Sequence, residues 1–554
     1  MRARSTWVFW TACLVYLVVG LWLALDVQYY QGDSLSRVSA ARSVLLSRDP
    51  HLAAIGFVFT PLTALVQVPL TGLSAWFPGL SAYAVTAVLM SAPFMAGAAV
   101  QIHRIACDRG CAPWFVWTVT AVFALNPMIV YYGANGMSEA PFLFALCWAA
   151  RRLIRWCSTD DIHDLALAGI ALALAYLARY DALAVGGAVT VFVALLVRYR
   201  SRRYAPGSGW QPAIMDAILV AAPLALAFVA FVVTSWLVTG EWLAQFTSAY
   251  GNAAILEQSG GGSSGGLGAI AFSLAETVVL GPALPLLIPV VAVLAWRRRD
   301  LEPLVPFVVF GAVLGFAALS YARGMTFPFL RFYICAIPLL AVWVVQLAPR
   351  RGLLTARRPG PHAVPRTEDP SGAAPLGAVL LVCSLPVTFV AMGSPTLSQE
   401  QHALRTVLFP DNDDPSEVRE QQRRVIAAFS TERRIAEYLD AMDLPPGSVL
   451  MDTVYGFAIF SATERPETFV IPSDSDFTAV LNRPSASGIE YILTVPNEGR
   501  GTSDAVNRRY PTIYETGSDI AVLELEIPND GADQPDWRLF RVLDRTSPRA
   551  VVAP

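Results

Sequence analysis

The residues best suited to chemistry are charged side chains that stand directly beside long apolar segments. Asp33 follows the first apolar segment, and Arg179, Asp181 and Arg331 stand beside later ones. Charges in such places are costly unless they pair or serve a site. A carboxylate can take a proton from a hydroxyl group, and the planar guanidinium of arginine can hold two phosphate oxygens. The set therefore predicts a base together with an anion clamp.

Three further residues join this set. Glu139 ends a polar turn that begins at Asn126, Arg323 flanks a later turn, and Arg37 lies one helical turn beyond Asp33. The predicted roles are catalysis for Asp33 and substrate binding for the others.

Structural interpretations of the same residues stay open. Asp33 and Glu139 would then only cap helices. Arg179 and Asp181 would pair with each other. Arg331 would extend from a helix end towards water.

The composition indicates a polytopic membrane protein. Of 554 residues, 55% are hydrophobic and only 15% are charged, and the mean hydropathy is +0.49. Such values are typical of chains with many membrane spans. The formal net charge is −3, and acidic residues are concentrated in the last third, so nucleic-acid binding is not expected.

Arginines set the predicted orientation. They follow every second apolar segment, which is the pattern of cytoplasmic loops. This predicts about eleven spans, with the N-terminus in the cytoplasm and the C-terminus outside. The apolar segments are 7–27, 81–103, 113–132, 139–155, 163–178, 182–199, 213–238, 277–296, 303–320, 332–348 and 375–392.

The segment 57–77 is ambiguous. It is apolar enough to span, but it contains Pro61 and Pro69. A span here would move every later arginine cluster to the outside. We therefore expect an outer juxtamembrane or re-entrant element within a first outer loop, 28–80. The helix after Asp33 is expected to lie on the membrane surface.

The pattern of apolar and polar residues changes after Gly393. A charged amphipathic helix is predicted over 416–442, followed by β-rich runs at 448–452, 468–471, 490–495, 520–525 and 537–542. We expect a soluble α/β domain outside the membrane. The predicted division is a transmembrane domain, 1–392, and an extracytoplasmic domain, 393–554.

The seven cysteines do not suggest a disulfide framework, because the predicted outer domain contains none of them. No cofactor and no metal site is predicted. A requirement for a divalent cation stays open.

With these motifs in view, residues 7–392 resemble the GT-C class of glycosyltransferases, polytopic enzymes that use polyprenyl-phosphate sugars. The resemblance rests on Gly32-Asp33, the proline-bearing element 56–62, the turn 126–139, Arg179, and the segment 331–338. Mannosyl- and arabinosyltransferases are the nearest types, and the absence of lysine favours an actinobacterial source.

The resemblance implies that Asp33 is the base and that Arg179 and Arg331 contact the lipid phosphate. Many relatives carry two adjacent acidic residues in the first loop, whereas here Gly32 precedes Asp33. The implied reaction moves a sugar, with inversion, from a polyprenyl phosphate to a hydroxyl of a glycan, lipid or protein on the outer face of the cell membrane. Two other interpretations remain: a transporter or flippase of lipid-linked glycans, and a non-catalytic membrane scaffold.

Overall fold

The computed structural model is mostly helical and forms two compact units. It describes residues 2–204, 209–248, 250–259, 265–298, 301–349, 373–409 and 416–543. The first unit, called the bundle unit below, comprises 1–21, 88–243 and 261–410. The second, called the sheet unit, comprises 22–87, 244–260 and 411–554.

Long apolar helices build the bundle unit. The α-helices are Arg2–Leu21, Val85–Asp108, Pro113–Ala124, Pro127–Ala134, Glu139–Thr159, Ile162–Ala178, Ala182–Tyr204, Gln211–Thr239, Gly266–Leu280, Leu284–Arg298, Ala312–Ala322, Ala336–Leu347, Ala374–Val382, Ser384–Met392 and Leu404–Leu408. Shorter turns complete it at Glu302–Leu304, Phe307–Gly311 and Leu330–Tyr333.

Seven of the described helices are long and apolar enough to cross a membrane, or nine if each of two bent pairs is one span. The chain is therefore a multi-pass membrane protein, and the predicted number of about eleven is not confirmed. Helix Glu139–Thr159 carries Arg151, Arg152 and Arg155 near its end, which lowers its hydropathy. Helix Ile162–Ala178 has only 17 residues.

Two of the predicted spans are bent. In the segment 113–132, the axis turns by 58° at Asn126, since Pro127 cannot continue the hydrogen-bonding of the preceding helix. The side chain of Asn126 instead accepts a hydrogen bond from the backbone N–H of Met128 and begins the next helix. The predicted span 277–296 contains a break, because helix Gly266–Leu280 ends at Gly281 and the next helix leaves at 82°.

A five-stranded sheet lies at the centre of the sheet unit. Its strands are β1 Val449–Leu450, β2 Phe469–Val470, β3 Tyr491–Thr494, β4 Ala521–Ile527 and β5 Trp537–Val542. They are arranged β2-β1-β3-β5-β4, with parallel pairs on one side of β3 and antiparallel pairs on the other. All five strands overlap the five β-rich runs of the sequence.

Helices and turns surround this sheet. The α-helices of the sheet unit are Gly32–Leu46, Leu62–Gly72, Gly79–Ala82, Ala244–Thr247, Asn252–Ser259, Ser416–Ile426, Ser430–Ala441, Thr453–Ala462, Phe477–Asn482, Ala505–Arg509 and Ile513–Thr516. Trp22–Val27 is a π-helix that continues the first apolar segment. Short 3₁₀ turns lie at Leu52–Ile55, Leu73–Ala75, Pro466–Thr468, Ser485–Ser487, Gly499–Ser503 and Gly517–Asp519.

The continuous helix predicted over 416–442 is wrong. It is two helices, Ser416–Ile426 and Ser430–Ala441. The ring of Phe429, at the break between them, packs edge-on against Phe457, with 5.7 Å between the ring centroids. A packing contact thus interrupts a segment whose charge pattern alone favours one helix.

Helix Gly32–Leu46 begins where the sequence predicts, but most of its apolar stripe is buried in protein, while Leu45 near its end is exposed. Leu35, Val38 and Ala41 are buried, and the helix packs against helices Leu62–Gly72 and Thr453–Ala462 of the same unit. The sequence had suggested a membrane surface for this face, because a short apolar stripe does not identify its partner.

The membrane orientation and the division into 1–392 and 393–554 remain predictions. The glycine-rich run 259–266 and the arginine-rich linker 349–374 lie mostly outside the described residues. All seven cysteines lie within the described residues, and all are free thiols.

Candidate functional site

Four of the predicted site residues come together in the bundle unit. The Nη1 of Arg179 donates to Oε1 of Glu139 at 2.6 Å, and its Nε donates to Asp181 at 2.9 Å. Arg331 lies beside the same Glu139 oxygen, with Nε 4.0 Å away. We call these residues, with Glu400 described below, the arginine cluster.

A short turn positions Arg179. Helix Ile162–Ala178 ends at Arg179, whose backbone is extended and whose N–H still donates to the carbonyl of Ala175. The next helix begins at Ala182. Arg179 and Asp181 are therefore held at opposite ends of a three-residue turn, as the sequence predicted, and their ion pair closes it.

Glu139 is the first residue of helix Glu139–Thr159 and is almost completely buried. The turn before it contains Gly136 at φ +76°, a left-handed conformation that favours glycine. Glu139 does not cap its helix, since no side-chain cap bond is formed there. Its Oε1 is shared by both arginines, while its Oε2 has no hydrogen-bond partner among the described residues.

Arg331 sits in the 3₁₀ turn Leu330–Tyr333 and has a partner that the sequence analysis missed. Its Nε lies 3.3 Å from Oε2 of Glu400. Glu400 follows the last apolar segment, in a polar stretch that was assigned to the C-terminal domain. The last apolar segment ends at 392, so Glu400 does not stand directly beside it, and the rule that identified the other residues does not select Glu400.

One aromatic ring lies close to both guanidiniums. The centre of the Phe332 ring is 5.5 Å from Cζ of Arg179 and 5.4 Å from Cζ of Arg331. Cations are attracted to the face of such a ring. Phe332 and Glu139 together hold two like charges close to each other.

The surrounding charges keep Arg179 protonated. Burial lowers the pKa of this guanidinium, but the carboxylates of Asp181 and Glu139 outweigh that effect and leave the pKa above its ordinary value. With Arg331 and Glu400 included, the cluster holds two cations and three carboxylates. Such a set can exchange one oxyanion for another, for instance a carboxylate for a phosphate.

Arg323 is not part of the arginine cluster. It follows helix Ala312–Ala322, is exposed, and takes no part in the cluster's hydrogen bonds or ion pairs. Its predicted substrate-binding role stays a prediction.

Asp33 belongs to the sheet unit, in the first turn of helix Gly32–Leu46. The N-cap residue is Gln31, which forms no side-chain cap bond. Asp33 lies two positions beyond it and is half-buried. A negative charge in a first turn is favoured by the helix dipole, so the position suits an ionised carboxylate.

Arg37 contacts the backbone of Asp33. Its Nη1 donates to the Asp33 carbonyl oxygen at 2.8 Å, and its guanidinium lies 4.8 Å from the ring centre of Phe59. Arg37 is buried. It helps to hold the first turn that carries Asp33.

Sequence reasoning also missed Arg433, which contacts the segment before Asp33. Its Nη2 donates to Gln28 at 2.7 Å, and its guanidinium lies 5.5 Å from the Tyr30 ring centre and 5.6 Å from that of Tyr83. Arg433 lies on the charged helix Ser430–Ala441, and the sequence does not show which face of that helix contacts other elements. Within the described residues, no group of three or more His, Cys, Asp or Glu side chains could hold a metal ion.

Comparison with known proteins gives a fold match but no family assignment. No protein-family model matches the chain, and no curated protein sequence matches it. Among solved structures, ArnT from Cupriavidus metallidurans bound to undecaprenyl phosphate is 12% identical, with a TM-score of 0.54 over 97% of this chain and 98% of that chain. The chain therefore shares the fold of ArnT along its length.

Two archaeal structures are more distant. The oligosaccharyltransferase AglB from Archaeoglobus fulgidus, in complex with an inhibitory peptide and a dolichol phosphate, is 10% identical, with a TM-score of 0.37 over 88% of this chain and 69% of that chain. An oligosaccharyltransferase from the same organism, in complex with Zn and sulfate, is 10% identical, with a TM-score of 0.39 over 95% and 72%.

Proposed function

We propose that this chain is a GT-C class glycosyltransferase that moves a sugar from a polyprenyl phosphate to an acceptor hydroxyl of the cell envelope. The observation that carries the proposal is the pair Arg179 and Arg331, held close together on Glu139 and Phe332 inside a membrane protein. Guanidiniums in such a protein are costly unless they pair or serve a site. These two share carboxylate partners, and a phosphate is an oxyanion that can take the place of a carboxylate on a guanidinium.

The shared fold supports the choice of ligand. ArnT has undecaprenyl phosphate bound, and we extend that class of ligand to this chain. The lipid phosphate would bind the guanidiniums of Arg179 and Arg331 in exchange for part of their carboxylate contacts. Glu139, Asp181 and Glu400 would hold the two arginines in place before the donor arrives.

The reaction requires few groups. The acceptor oxygen forms a bond to the anomeric carbon, and the bond from that carbon to the phosphate oxygen breaks. The prenyl phosphate leaves with the electron pair, and the arginines stabilise its charge. The acceptor proton passes to a base, a role we assign to Asp33. One displacement inverts the sugar configuration. We place the reaction on the outer face of the membrane.

A reconstituted transfer assay tests the proposal. The full chain in lipid nanodiscs would receive undecaprenyl phosphates that carry mannose, arabinose or glucose, together with acceptors extracted from the cell envelope. We expect release of undecaprenyl phosphate and a matching mass increase in one acceptor class, with Asp33→Asn as the inactive control. Movement of a lipid-linked glycan across liposomes without release would instead support the flippase.

Cysteine labelling tests the orientation. Thr502 and Arg202 are exposed and lie on opposite predicted sides of the membrane. With Cys107, Cys111 and Cys383 replaced by serine, we expect Thr502→Cys to react with an impermeant thiol reagent in intact cells and Arg202→Cys to be protected. The reverse result would contradict an outer site.

A further inference from the structure

A carboxylate without a partner lies within the bundle unit. Glu276 belongs to helix Gly266–Leu280 and is completely buried. Among the described residues, neither of its carboxylate oxygens has a hydrogen-bond partner. An isolated buried carboxylate is strongly unfavourable. Neither the predicted site nor the arginine cluster accounts for it.

Other polar groups lie on the same side of this helix. Ser273, one turn before Glu276, has its Oγ 2.7 Å from the hydroxyl of Tyr333. Residues three apart share a helix face. Phe272 packs against Tyr321, with 5.1 Å between the ring centroids. The face that carries Glu276 therefore includes a serine bonded to a tyrosine from another element.

That tyrosine connects the face to the arginine cluster. Tyr333 lies two residues after Arg331 in the 3₁₀ turn Leu330–Tyr333, and helix Gly266–Leu280 packs against this turn. A ligand whose phosphate is held by Arg331 would carry its next chemical group close to the same turn. In a polyprenyl glycosyl phosphate, the phosphate carries the sugar on one oxygen and the prenyl chain on another, and only the sugar presents hydroxyl groups that a polar helix face can bind.

We infer that Glu276 binds a hydroxyl group of the donor sugar, so that its helix face forms the sugar subsite. An ionised carboxylate can only accept hydrogen bonds, and a sugar presents several hydroxyl donors. Bonds from such hydroxyls would satisfy two oxygens for which the described residues provide no hydrogen-bond partner. The inference rests on the proposed function, because it takes the donor to be a glycosyl phosphate lipid.

Binding measurements separate the sugar from the phosphate. The full chain in nanodiscs would be titrated with undecaprenyl phosphate and with its mannosyl, arabinosyl and glucosyl derivatives. We expect wild type to bind one derivative more tightly than undecaprenyl phosphate. Glu276→Gln should weaken binding of that derivative by about tenfold, the loss typical for a hydrogen bond to a charged group, and leave the affinity for undecaprenyl phosphate unchanged.

Two further variants address folding and specificity. Glu276→Leu removes the buried carboxyl group, which has no hydrogen-bond partner among the described residues, so we expect its melting temperature to equal or exceed that of wild type while the sugar-dependent affinity is lost. Thr277→Val, on the same helix, is the matched control and should bind all four ligands as wild type does. A fall in melting temperature for both Glu276 variants would indicate a structural role and overturn the inference.

The outcomes distinguish the two proposals. If wild type binds undecaprenyl phosphate but no sugar derivative more tightly, the sugar subsite is wrong and the lipid phosphate site survives. Equal losses for all four ligands in Glu276→Gln would also overturn the subsite. If wild type binds none of the four, the proposed function itself fails.

Discussion

Arginine is used differently in the arginine cluster and in the helix that carries Asp33. Arg179 and Arg331 contact carboxylates. Arg42, on helix Gly32–Leu46, instead donates to the backbone carbonyl oxygens of Phe460 and Thr463, each at 2.6 Å. Those carbonyls lie at the end of helix Thr453–Ala462, where the helix dipole favours a cation.

The two regions differ in what the guanidinium can do. Arg42 holds two helices together, whereas Arg179 and Arg331 can exchange one anionic partner for another. Backbone carbonyls are fixed by the fold, so Arg42 joins two helices permanently. Burial lowers the pKa of Arg42 to about 10, although the carboxylates of Asp440 and Glu467 act in the opposite direction. Arg179 is surrounded by carboxylates, which a phosphate can replace. We therefore expect substitution of Arg42 to lower stability, and substitution of Arg179 or Arg331 to lower transfer and phosphate binding.

The largest effect is expected at Asp33. Asp33→Asn removes the proposed base and keeps its shape, so transfer should fall by a factor on the order of 10²–10⁴. The melting temperature and the affinity for undecaprenyl phosphate should stay close to those of wild type, because asparagine keeps the size and shape of aspartate. Single-turnover transfer and thermal unfolding measure both. Near-normal turnover would reduce Asp33 to a structural residue of the helix start.

The next effect is expected at the arginine cluster. Arg179→Ala and Arg331→Ala should each slow transfer by roughly tenfold to a thousandfold and weaken inhibition by undecaprenyl phosphate. Lysine at either position should restore the rate only in part, because an ammonium group cannot bind two phosphate oxygens at once. Initial rates with added undecaprenyl phosphate give both quantities.

A double variant controls for misfolding in this test. Arg179→Ala leaves Glu139 buried without its closest partner, whereas the double variant Glu139→Gln, Arg179→Ala removes that unpaired charge. If inhibition by undecaprenyl phosphate is unchanged in the double variant and in Arg331→Ala, these arginines have a structural role.

A smaller effect is expected at Arg42, where stability and not ligand affinity should fall. Arg42→Met leaves the carbonyls of Phe460 and Thr463 without these bonds, which should cost about 2–6 kcal/mol of stability, at a typical 1–3 kcal/mol for each buried group. The melting temperature should fall while the affinity for undecaprenyl phosphate stays at the wild-type value. A loss of that affinity at unchanged melting temperature would erase the distinction between the two kinds of arginine.

The smallest effect concerns pH and the sheet unit. Burial raises the pKa of Asp474 to about 6, although Arg48 bonds to it and acts in the opposite direction. An acid whose pKa is higher in the folded state stabilises the fold at low pH, and that contribution disappears as the pH rises through 6. Between pH 5 and pH 7.5, wild type should therefore lose about 1 kcal/mol relative to Asp474→Asn.

Thermal unfolding of both proteins at the two pH values measures this difference. The raised pKa of Asp474 would be contradicted if the difference in stability between wild type and Asp474→Asn is the same at both pH values. A difference that changes in the opposite direction would contradict it too.

Much of the local structure could be predicted from the sequence. The start of helix Gly32–Leu46, the turn at Arg179 and Asp181, and the positions of five strands all follow from local patterns of apolar, polar and turn residues. Such patterns act over a few residues and need no knowledge of the partner.

The failures share one cause. The breaks at Gly281 and near Phe429, and the burial of Leu35 in protein, depend on what packs against each segment. The missed Glu400 belongs to the same group, because its partner Arg331 is 69 positions away in the chain. Periodicity shows that a face is apolar or charged, but it does not identify what that face meets.

For this protein, the sequence by itself determined the membrane class, most of the helices, and which charges stand beside apolar segments. Those follow from hydrophobic length and from the cost of placing charge near lipid. Only the tertiary structure decided that Glu139 is shared by Arg179 and Arg331, that Arg42 binds carbonyls, and that Glu276 has no partner among the described residues. These outcomes depend on contacts between distant segments, and such contacts form only when the chain packs.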